Sequence, residues 1–268
     1  MAMVPTHVRP PAVAGTFYPS SPRVLDEMVH DLLEPTPRIA APCPKAILVP
    51  HAGYVYSGPT AARAYARLAP YARQIERVVL IGPAHRVFVE GVVSPGVSEL
   101  RTPLGDVPVD LEALALVPMV TVNAAAHAQE HCLEVQLPFL QVVAPHAKVV
   151  PLLVGNAKPE LVGAILDALW GGPETVLVVS SDLSHFLSYD ECRVVDHATA
   201  AHITALDPRP LCPGEACGAA AVNGLVWVAR KRGLHVHVLD LRSSGDTAGS
   251  REEVVGYGAF ALEQEGGP

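Results

Sequence analysis

The sequence predicts an α/β domain in which helices cover both faces of a central, mainly parallel or mixed sheet. Two observations lead to this fold class. Short apolar runs typical of buried strands alternate with stretches of helical periodicity along most of the chain, and this alternation is typical of a sheet packed between two helical layers. Half of the residues are hydrophobic, which is enough for one large core. We therefore expect residues 1–268 to form a single domain.

The first predicted elements precede the sheet. Residues 8–20 are too rich in proline and glycine for a helix, so we expect an ordered arm that lies on the domain. Apolar residues at helical spacing predict the first helix over 22–33. A proline-rich connector, residues 35–44, then leads to the first core strand.

The core strands are predicted from short apolar runs bounded by turn residues. We expect them at 45–49, 77–82, 148–154, 175–180, 234–241 and 254–262, with shorter strand pieces within 91–110. Helical spacing predicts helices over 60–68, 111–117, 131–143, 159–170, 190–206 and 218–232. Ser57 is placed to cap a helix that begins near Pro59, and Pro138 is expected to kink or end the helix that contains it.

Composition excludes several classes of function. The formal net charge is −8 and the basic residues are scattered, which is unlike a nucleic-acid-binding surface. No apolar run reaches the roughly 20 residues that span a bilayer, and the N-terminus lacks the pattern of a secretion signal. The five cysteines form no CxxC pair, so we expect reduced thiols. These observations predict a cytoplasmic protein that binds neither nucleic acid nor membrane.

Histidines follow three predicted strands. His51 and His85 each stand just after an apolar run, and Asp182 and His185 follow a third run. Because the carboxyl ends of parallel strands share one edge and lie about 4.8 Å apart, side chains at these ends can converge. The pattern predicts a metal site or an acid–base centre. The alternative is that these are loop histidines bonded to the backbone.

A third metal ligand is suggested by two neighbouring residues. Cys217 lies just before a predicted helix, where free N–H groups and the helix dipole favour a thiolate. Glu215 would instead complete the set of two histidines and one carboxylate that is common in non-haem iron enzymes. Cys217 is also consistent with a small buried hydrophobic residue.

Other polar residues have two interpretations each. His185 is a candidate general acid or base oriented by Asp182, or Asp182 caps the next segment and His185 is a surface residue. Glu130 and Glu134 share a face of the predicted helix and would line the pocket with His131, or they form an acidic helix start. The remaining histidines considered are interpreted as surface or packing residues: His127, His146, His197, His202, His235 and His237.

Several segments together resemble the Memo family, whose bacterial and archaeal members are often called AmmeMemoRadiSam system protein B. The resemblance covers residues 8–262. In chain order it is carried by VRPPAVAGTFYP, ILVPHAGYVYSG, LIGPAH, LRTPLGDVPVD, EHCLEVQLPFLQ, VVSSDLSHF, ACG and VVGYGAFAL. The family is similar in fold to the class III extradiol dioxygenases, which cleave catechol rings with non-haem iron(II).

The resemblance implies roles for particular residues. His51 and His85 match the family's histidine ligands, and Cys217 matches the cysteine that replaces a glutamate of the dioxygenases. His185 matches the catalytic histidine of the dioxygenases. Asp182 and His131 fall in the same pocket. The implied cofactor is Fe(II), with copper or zinc as alternatives.

Three functional hypotheses follow from this resemblance. The first is a ring-cleaving enzyme that acts on a small, catechol-like substrate. The second is a non-catalytic metal-binding or adaptor protein that acts with AMMECR-type and radical-SAM proteins, and the oxidisable cysteine ligand motivates it. The third is a zinc hydrolase, because two histidines and a cysteine also suit zinc with an open fourth position.

Overall fold

The structure is a computed structural model that describes residues 7–36 and 41–264. Its strands are β1 (Val8–Arg9), β2 (Ala46–Val49), β3 (Arg77–Pro83), β4 (Val92–Ser94), β5 (Glu99–Thr102), β6 (Gly105–Pro108), β7 (Thr121–Val122), β8 (Lys148–Val154), β9 (Thr175–Ser180), β10 (His185–Leu187), β11 (Leu234–Ser243) and β12 (Val254–Gln264). Its α-helices are α1 (Pro22–Leu33), α2 (Tyr54–Leu68), α3 (Leu111–Leu114), α4 (Ala124–Ala128), α5 (Leu137–Val143), α6 (Pro159–Ala168), α7 (Tyr189–Thr204) and α8 (Ala219–Arg232). Within these described ranges, no helix has the length and apolar character needed to cross a membrane.

A nine-stranded mixed sheet forms the centre of the fold, in the order β10-β12-β2-β9-β3-β8-β4-β7, with β11 also paired to β12. The inner strands β2, β9, β3 and β8 are parallel. On one side β12 is antiparallel to β2, and on the other β4 is antiparallel to β8. The predicted α/β class with a mixed sheet is therefore confirmed.

Helices pack on both faces of this sheet, as predicted. Along β2, Ile47 and Val49 point into one core, which α1, α2 and α5 complete. Ala46 and Leu48 point into the other core, which contains residues of α6 and α8. Because successive side chains of a strand face opposite sides, a strand buried on both faces is apolar throughout. This explains why the inner strands could be recognised as uninterrupted apolar runs.

The N-terminal arm is ordered and tied to the domain by one buried carboxylate. Arg9 lies in β1, which pairs with β5 in a separate small sheet. Its guanidinium forms an ion pair of 2.7 Å with Glu134, whose side chain is buried. Glu134 also accepts hydrogen bonds from the backbone N–H of Ala12 and from the hydroxyl of Tyr18. The connector predicted at 35–44 lies partly outside the described residues.

Helix α2 begins earlier than predicted, and Ser57 does not cap it. The helix starts at Tyr54, so Ser57 and Pro59 are interior residues. The Tyr54 hydroxyl donates to the carbonyl of Val135 at 2.6 Å, and its backbone N–H donates to Phe17. These contacts with distant segments fix an additional turn that local sequence signals do not indicate.

Pro138 marks the beginning of a helix and not a kink. A short 3-10 turn over Glu134–Gln136 precedes α5, and Pro138 occupies the first turn of α5. Proline is favoured there because its missing N–H has no partner within the helix in any case. Consequently Glu130 and Glu134 do not share a helical face, in contrast to the prediction. Helix α3 also ends before residue 117, and the very short β7, β10 and α4 were not predicted.

The arm provides a test of this buried ion pair. We expect Glu134→Ala to lower the free energy of unfolding by about 3–5 kcal/mol, because it leaves the buried charge of Arg9 without its carboxylate partner. Arg101→Ala is the matched control, since its ion pair with Asp106 is exposed and is expected to contribute only about 0–1 kcal/mol. Urea unfolding curves measure both. Equal losses for the two variants would contradict the assigned role of Glu134.

Candidate metal centre

The ends of three adjacent strands bring the predicted site residues together. In the order β2-β9-β3, His51 follows β2, Asp182 follows β9 and His85 follows β3. The ring centroids of His51 and His85 lie 5.1 Å apart. The ring of His131 lies 5.4 Å from that of His51 and 5.0 Å from that of His85. The sheet edge thus carries a cluster of three imidazoles.

Cys217 completes a set of potential metal ligands. It stands just before α8, and its Sγ lies 3.2 Å from Nε2 of His51. The ligand atoms offered by His51, His85 and Cys217 all lie within 4.8 Å of one another. Two imidazole nitrogens and one sulfur at this separation can be bridged by a single ion, and this donor set suits zinc and iron.

A buried hydroxyl determines which nitrogen of His51 faces the cysteine. Nδ1 of His51 lies 3.0 Å from Oγ of Ser180. That hydroxyl donates its single proton to the carbonyl of Cys132 at 2.7 Å and also accepts from Nε2 of Gln136 at 2.8 Å. Ser180 can therefore only accept from His51. We infer that Nδ1 of His51 carries the proton and that Nε2 offers its lone pair towards Cys217.

The amide of Gln136 is itself held in one orientation. Its Nε2 donates to the carbonyl of Pro50 at 2.9 Å as well as to Ser180. Its Oε1 accepts from the hydroxyl of Tyr65 at 2.9 Å. In this orientation both the nitrogen and the oxygen of the amide have hydrogen-bond partners, whereas a flipped amide would lose them. The orientation of His51 is thus set by residues from β9, α2 and the turn before α5.

Glu130 fixes the orientation of the His85 ring, as Ser180 does for His51. Its Oε1 lies 2.9 Å from Nδ1 of His85 and 3.1 Å from Nδ1 of His131, while its Oε2 accepts the backbone N–H of His85. Burial by itself would raise the pKa of Glu130, but the neighbouring imidazoles of His131 and His85 outweigh it and hold the pKa well below its usual range. The ionised carboxylate accepts from Nδ1 of His85. Nε2 of His85 is therefore free to bind a metal ion.

The pair of Cys217 and His51 is not arranged as an activated nucleophile. Burial is the main cause that raises the pKa of the Cys217 thiol to about 12, and the charge of Asp182 adds to it. Burial and the neighbouring histidines hold the pKa of His51 well below its ordinary value. Without a bound metal ion both groups are therefore neutral near pH 7, so burial outweighs the helix-start effect that predicted a thiolate at Cys217. The pair thus lacks the thiolate and imidazolium of cysteine hydrolases.

Asp182 and His185 lie beside this cluster. Oδ1 of Asp182 accepts the backbone N–H of His51 at 2.7 Å, so Asp182 positions the His51 loop and does not cap a helix. Nδ1 of His185 bonds to the carbonyl of Leu183, and its Nε2 lies 4.0 Å from Oδ2 of Asp182. The side chain of His185 is 30% exposed. His185 is thus accessible, with Nε2 available to accept a proton.

Two carboxylates predicted near the pocket lie elsewhere. Glu215 pairs with Arg209 at 2.8 Å and accepts the backbone N–H of Cys212, so it is engaged away from the histidines. Glu134 binds the N-terminal arm and does not line the pocket. Among the residues that the structure describes, the third candidate ligand beside His51 and His85 is therefore Cys217.

Sequence reasoning missed the residues that orient the ligands. Gln136 and Tyr65 carry no recognisable local signal. Only the tertiary fold brings Gln136 to Ser180 and Tyr65 to Gln136. The remaining histidines conform to their interpretation as surface or packing residues where contacts are defined. His127, for example, is buried and bonds through Nε2 to the carbonyl of Val93.

Comparisons with known proteins agree on one family. A family model described as "Memo-like protein" matches residues 9–261. A "MEMO1 family protein" of Aquifex aeolicus is 36% identical, over 93% of this chain and 97% of the relative. Proteins of the same description from Sulfolobus acidocaldarius and Archaeoglobus fulgidus are each 33% identical, over 93% and 95% of this chain and 97% and 99% of the relatives.

The inferred tautomer of His51 can be tested without any metal. With ¹⁵N-labelled histidine, NMR of the metal-free protein should show His51 protonated at Nδ1. Ser180→Ala removes the hydroxyl acceptor, so we expect a mixture of tautomers and a loss of about 1–3 kcal/mol in the free energy of unfolding. Thr60→Val is the control, because Thr60 is buried and its hydroxyl has no partner. Protonation of His51 at Nε2 in the natural sequence would disprove the inferred tautomer, and an unchanged tautomer in Ser180→Ala would disprove the role of Ser180.

Proposed function

Because the chain belongs to the Memo-like protein family, we propose that it binds one Fe(II) ion and acts as an extradiol-type oxidoreductase on a small, catechol-like substrate. The proposed ligands are His51, His85 and Cys217. The observation that carries the proposal is the convergence of their ligand atoms within 4.8 Å, although the residues come from three distant parts of the chain.

The residues present fit a resident metal ion. Both histidines are held with Nδ1 bonded to a buried partner, Ser180 for His51 and Glu130 for His85, which leaves both Nε2 atoms as ligands. Partners of this kind fix the ring orientation of metal-binding histidines in known sites. The choice of iron over zinc or copper rests on the class III extradiol dioxygenase-like fold of the family, since the ligand set suits all three metals.

Bound Fe(II) would supply the redox chemistry of ring cleavage, and the protein would supply proton transfer and orientation. His185 can accept a proton from a substrate hydroxyl at Nε2, since its Nδ1 is bonded to the carbonyl of Leu183. Asp182 holds the His51 loop through its backbone N–H. His131 is packed against the ring of Phe17, with centroids 4.8 Å apart, and faces the same cluster as a second polar contact for substrate.

A non-catalytic role is the second candidate function, and Cys217 is the residue that favours it. A thiolate is a softer ligand than the glutamate carboxylate that the class III extradiol dioxygenases have at this place. A thiolate can also itself be oxidised. In this alternative the site stores a metal ion, or the protein acts as an adaptor for AMMECR-type and radical-SAM partners. His185 would then be dispensable for function.

Metal analysis tests the ligand set. Protein purified without oxygen is expected to contain one iron ion per chain. His85→Ala should lower metal affinity at least about tenfold, because it removes one of three ligands. His146→Ala is the control, since His146 is exposed and belongs to neither group of converging ligand atoms. Zinc at one ion per chain would favour the hydrolase hypothesis, and equal metal content in the two variants would refute the assigned ligands.

Oxygen consumption distinguishes catalysis from storage. With a panel of catechols, the iron-loaded protein is expected to consume oxygen, and His185→Gln should reduce the rate by about 10²–10⁴-fold through loss of proton transfer, with unchanged iron content. His197→Gln, at an exposed site on α7, should retain the rate. If no catechol supports oxygen uptake and a partner protein is still captured by His185→Ala, the storage or adaptor role is the better description.

A further inference from the structure

A cavity of about 270 Å³ adjoins the proposed metal site on the side of α8. Its wall includes Cys217, one of the proposed ligands. It also includes Pro83 and Ala84, which directly precede His85. We call this cavity the α8 alcove. A molecule in the alcove would therefore lie against Cys217 and against the segment that leads to His85.

The lining of the α8 alcove is neutral and mostly apolar. No charged side chain is among its lining residues, and the polar side chains there are Cys217 and Asn156. The amide nitrogen of Asn156 already donates to both carboxylate oxygens of Glu90. The alcove therefore lacks a counter-charge for a phosphate, a carboxylate or an ammonium group, each of which is costly to bury unpaired.

Small residues create the space and two glycines shape its walls. At Gly155 a Cβ atom would lie 1.9 Å from the carbonyl oxygen of Val89, so only glycine allows these segments to approach. At Gly218 a Cβ would lie 2.8 Å from Cβ of Ser181, which brings the start of α8 onto the end of β9. The helix then opens with three alanines, 219–221, whose short side chains leave the alcove unfilled.

We propose that the α8 alcove binds the apolar part of the substrate, a group such as one ring or one short branched chain. Ligand pockets commonly measure about 300–1,000 Å³, and a dry cavity of about 150 Å³ can hold benzene. The observed volume therefore accepts one substituted ring, and the neutral lining disfavours a nucleotide because its phosphate would have no counter-charge. The polar head of the same molecule would face His51, His85 and Cys217. This assignment of the head rests on the proposed metal-binding function.

Ala220 is the residue through which the alcove can be closed. It is only partly buried, whereas Ala219 and Ala221 are packed in the core. Ala220→Leu should therefore fill the alcove with little effect on stability. Ala201→Leu is the matched control, because Ala201 is an exposed alanine of α7.

Hydroxamates test the alcove because they bind metal ions through two oxygens and differ only in the attached group. On the metal-loaded protein, benzohydroxamate should bind roughly tenfold more tightly than acetohydroxamate, because its ring is buried. Ala220→Leu should abolish the advantage of the phenyl group without changing acetohydroxamate affinity, and Ala201→Leu should preserve that advantage. The same phenyl preference in both variants would overturn the proposal.

A second measurement separates this proposal from the metal site. In the metal-free protein with ¹³C-labelled alanine methyl groups, phenol should cause saturable shifts at Ala220, both in the natural sequence and in His85→Ala. If these shifts occur but no metal binds, the α8 alcove stands and the proposed function fails. If metal and acetohydroxamate bind but Ala220 does not respond to phenol and no phenyl preference exists, the alcove proposal fails alone.

Discussion

The buried carboxylate of Glu130 is the constraint on which the site depends. It accepts the backbone N–H groups of His85, His131 and Cys132, and it orients the imidazole of His85. A charge this deep in the protein is tolerated because every bond it accepts favours the ionised form. Since these donors come from the end of β3 and from the segment before α5, the carboxylate joins two elements as well as positioning a ligand. Ser180 has the same double function for His51, because its hydroxyl links β9 to Cys132 and Gln136.

The part of the fold predicted from sequence is the part that local patterns determine. Strands β2, β3, β8 and β9 are buried on both faces and are therefore apolar at every position, which made them recognisable. A parallel arrangement of these strands then predicted that their carboxyl ends share one edge of the sheet. The boundaries of α2 and α5 could not be predicted in this way, because the contacts of Tyr54 and the 3-10 turn before Pro138 depend on residues far away in the chain.

The residues of the proposed site divide in the same way into those that local patterns indicate and those that only the fold brings together. Histidines at strand ends are visible in a sequence, but local patterns left the third ligand open between Glu215 and Cys217, and only the family resemblance favoured Cys217. In the structure Glu215 forms an ion pair with Arg209, and Cys217 lies against His51. The groups that select the tautomers, Ser180 and Glu130, act across sequence separations of 129 and 45 residues. Such pairings have no local periodicity and become evident only in three dimensions.

The N-terminal arm has a consequence for how the protein can be handled. Phe17 packs its ring against His131, and its carbonyl receives the first N–H of α2, the helix that follows His51. The arm thus covers one side of the imidazole cluster. It is held in place by the ion pair of Arg9 with Glu134. Proteolytic trimming as far as Tyr18 would expose the imidazole cluster to solvent and release the start of α2. An affinity tag is therefore safer at the opposite terminus, or behind a spacer long enough to leave β1 paired with β5.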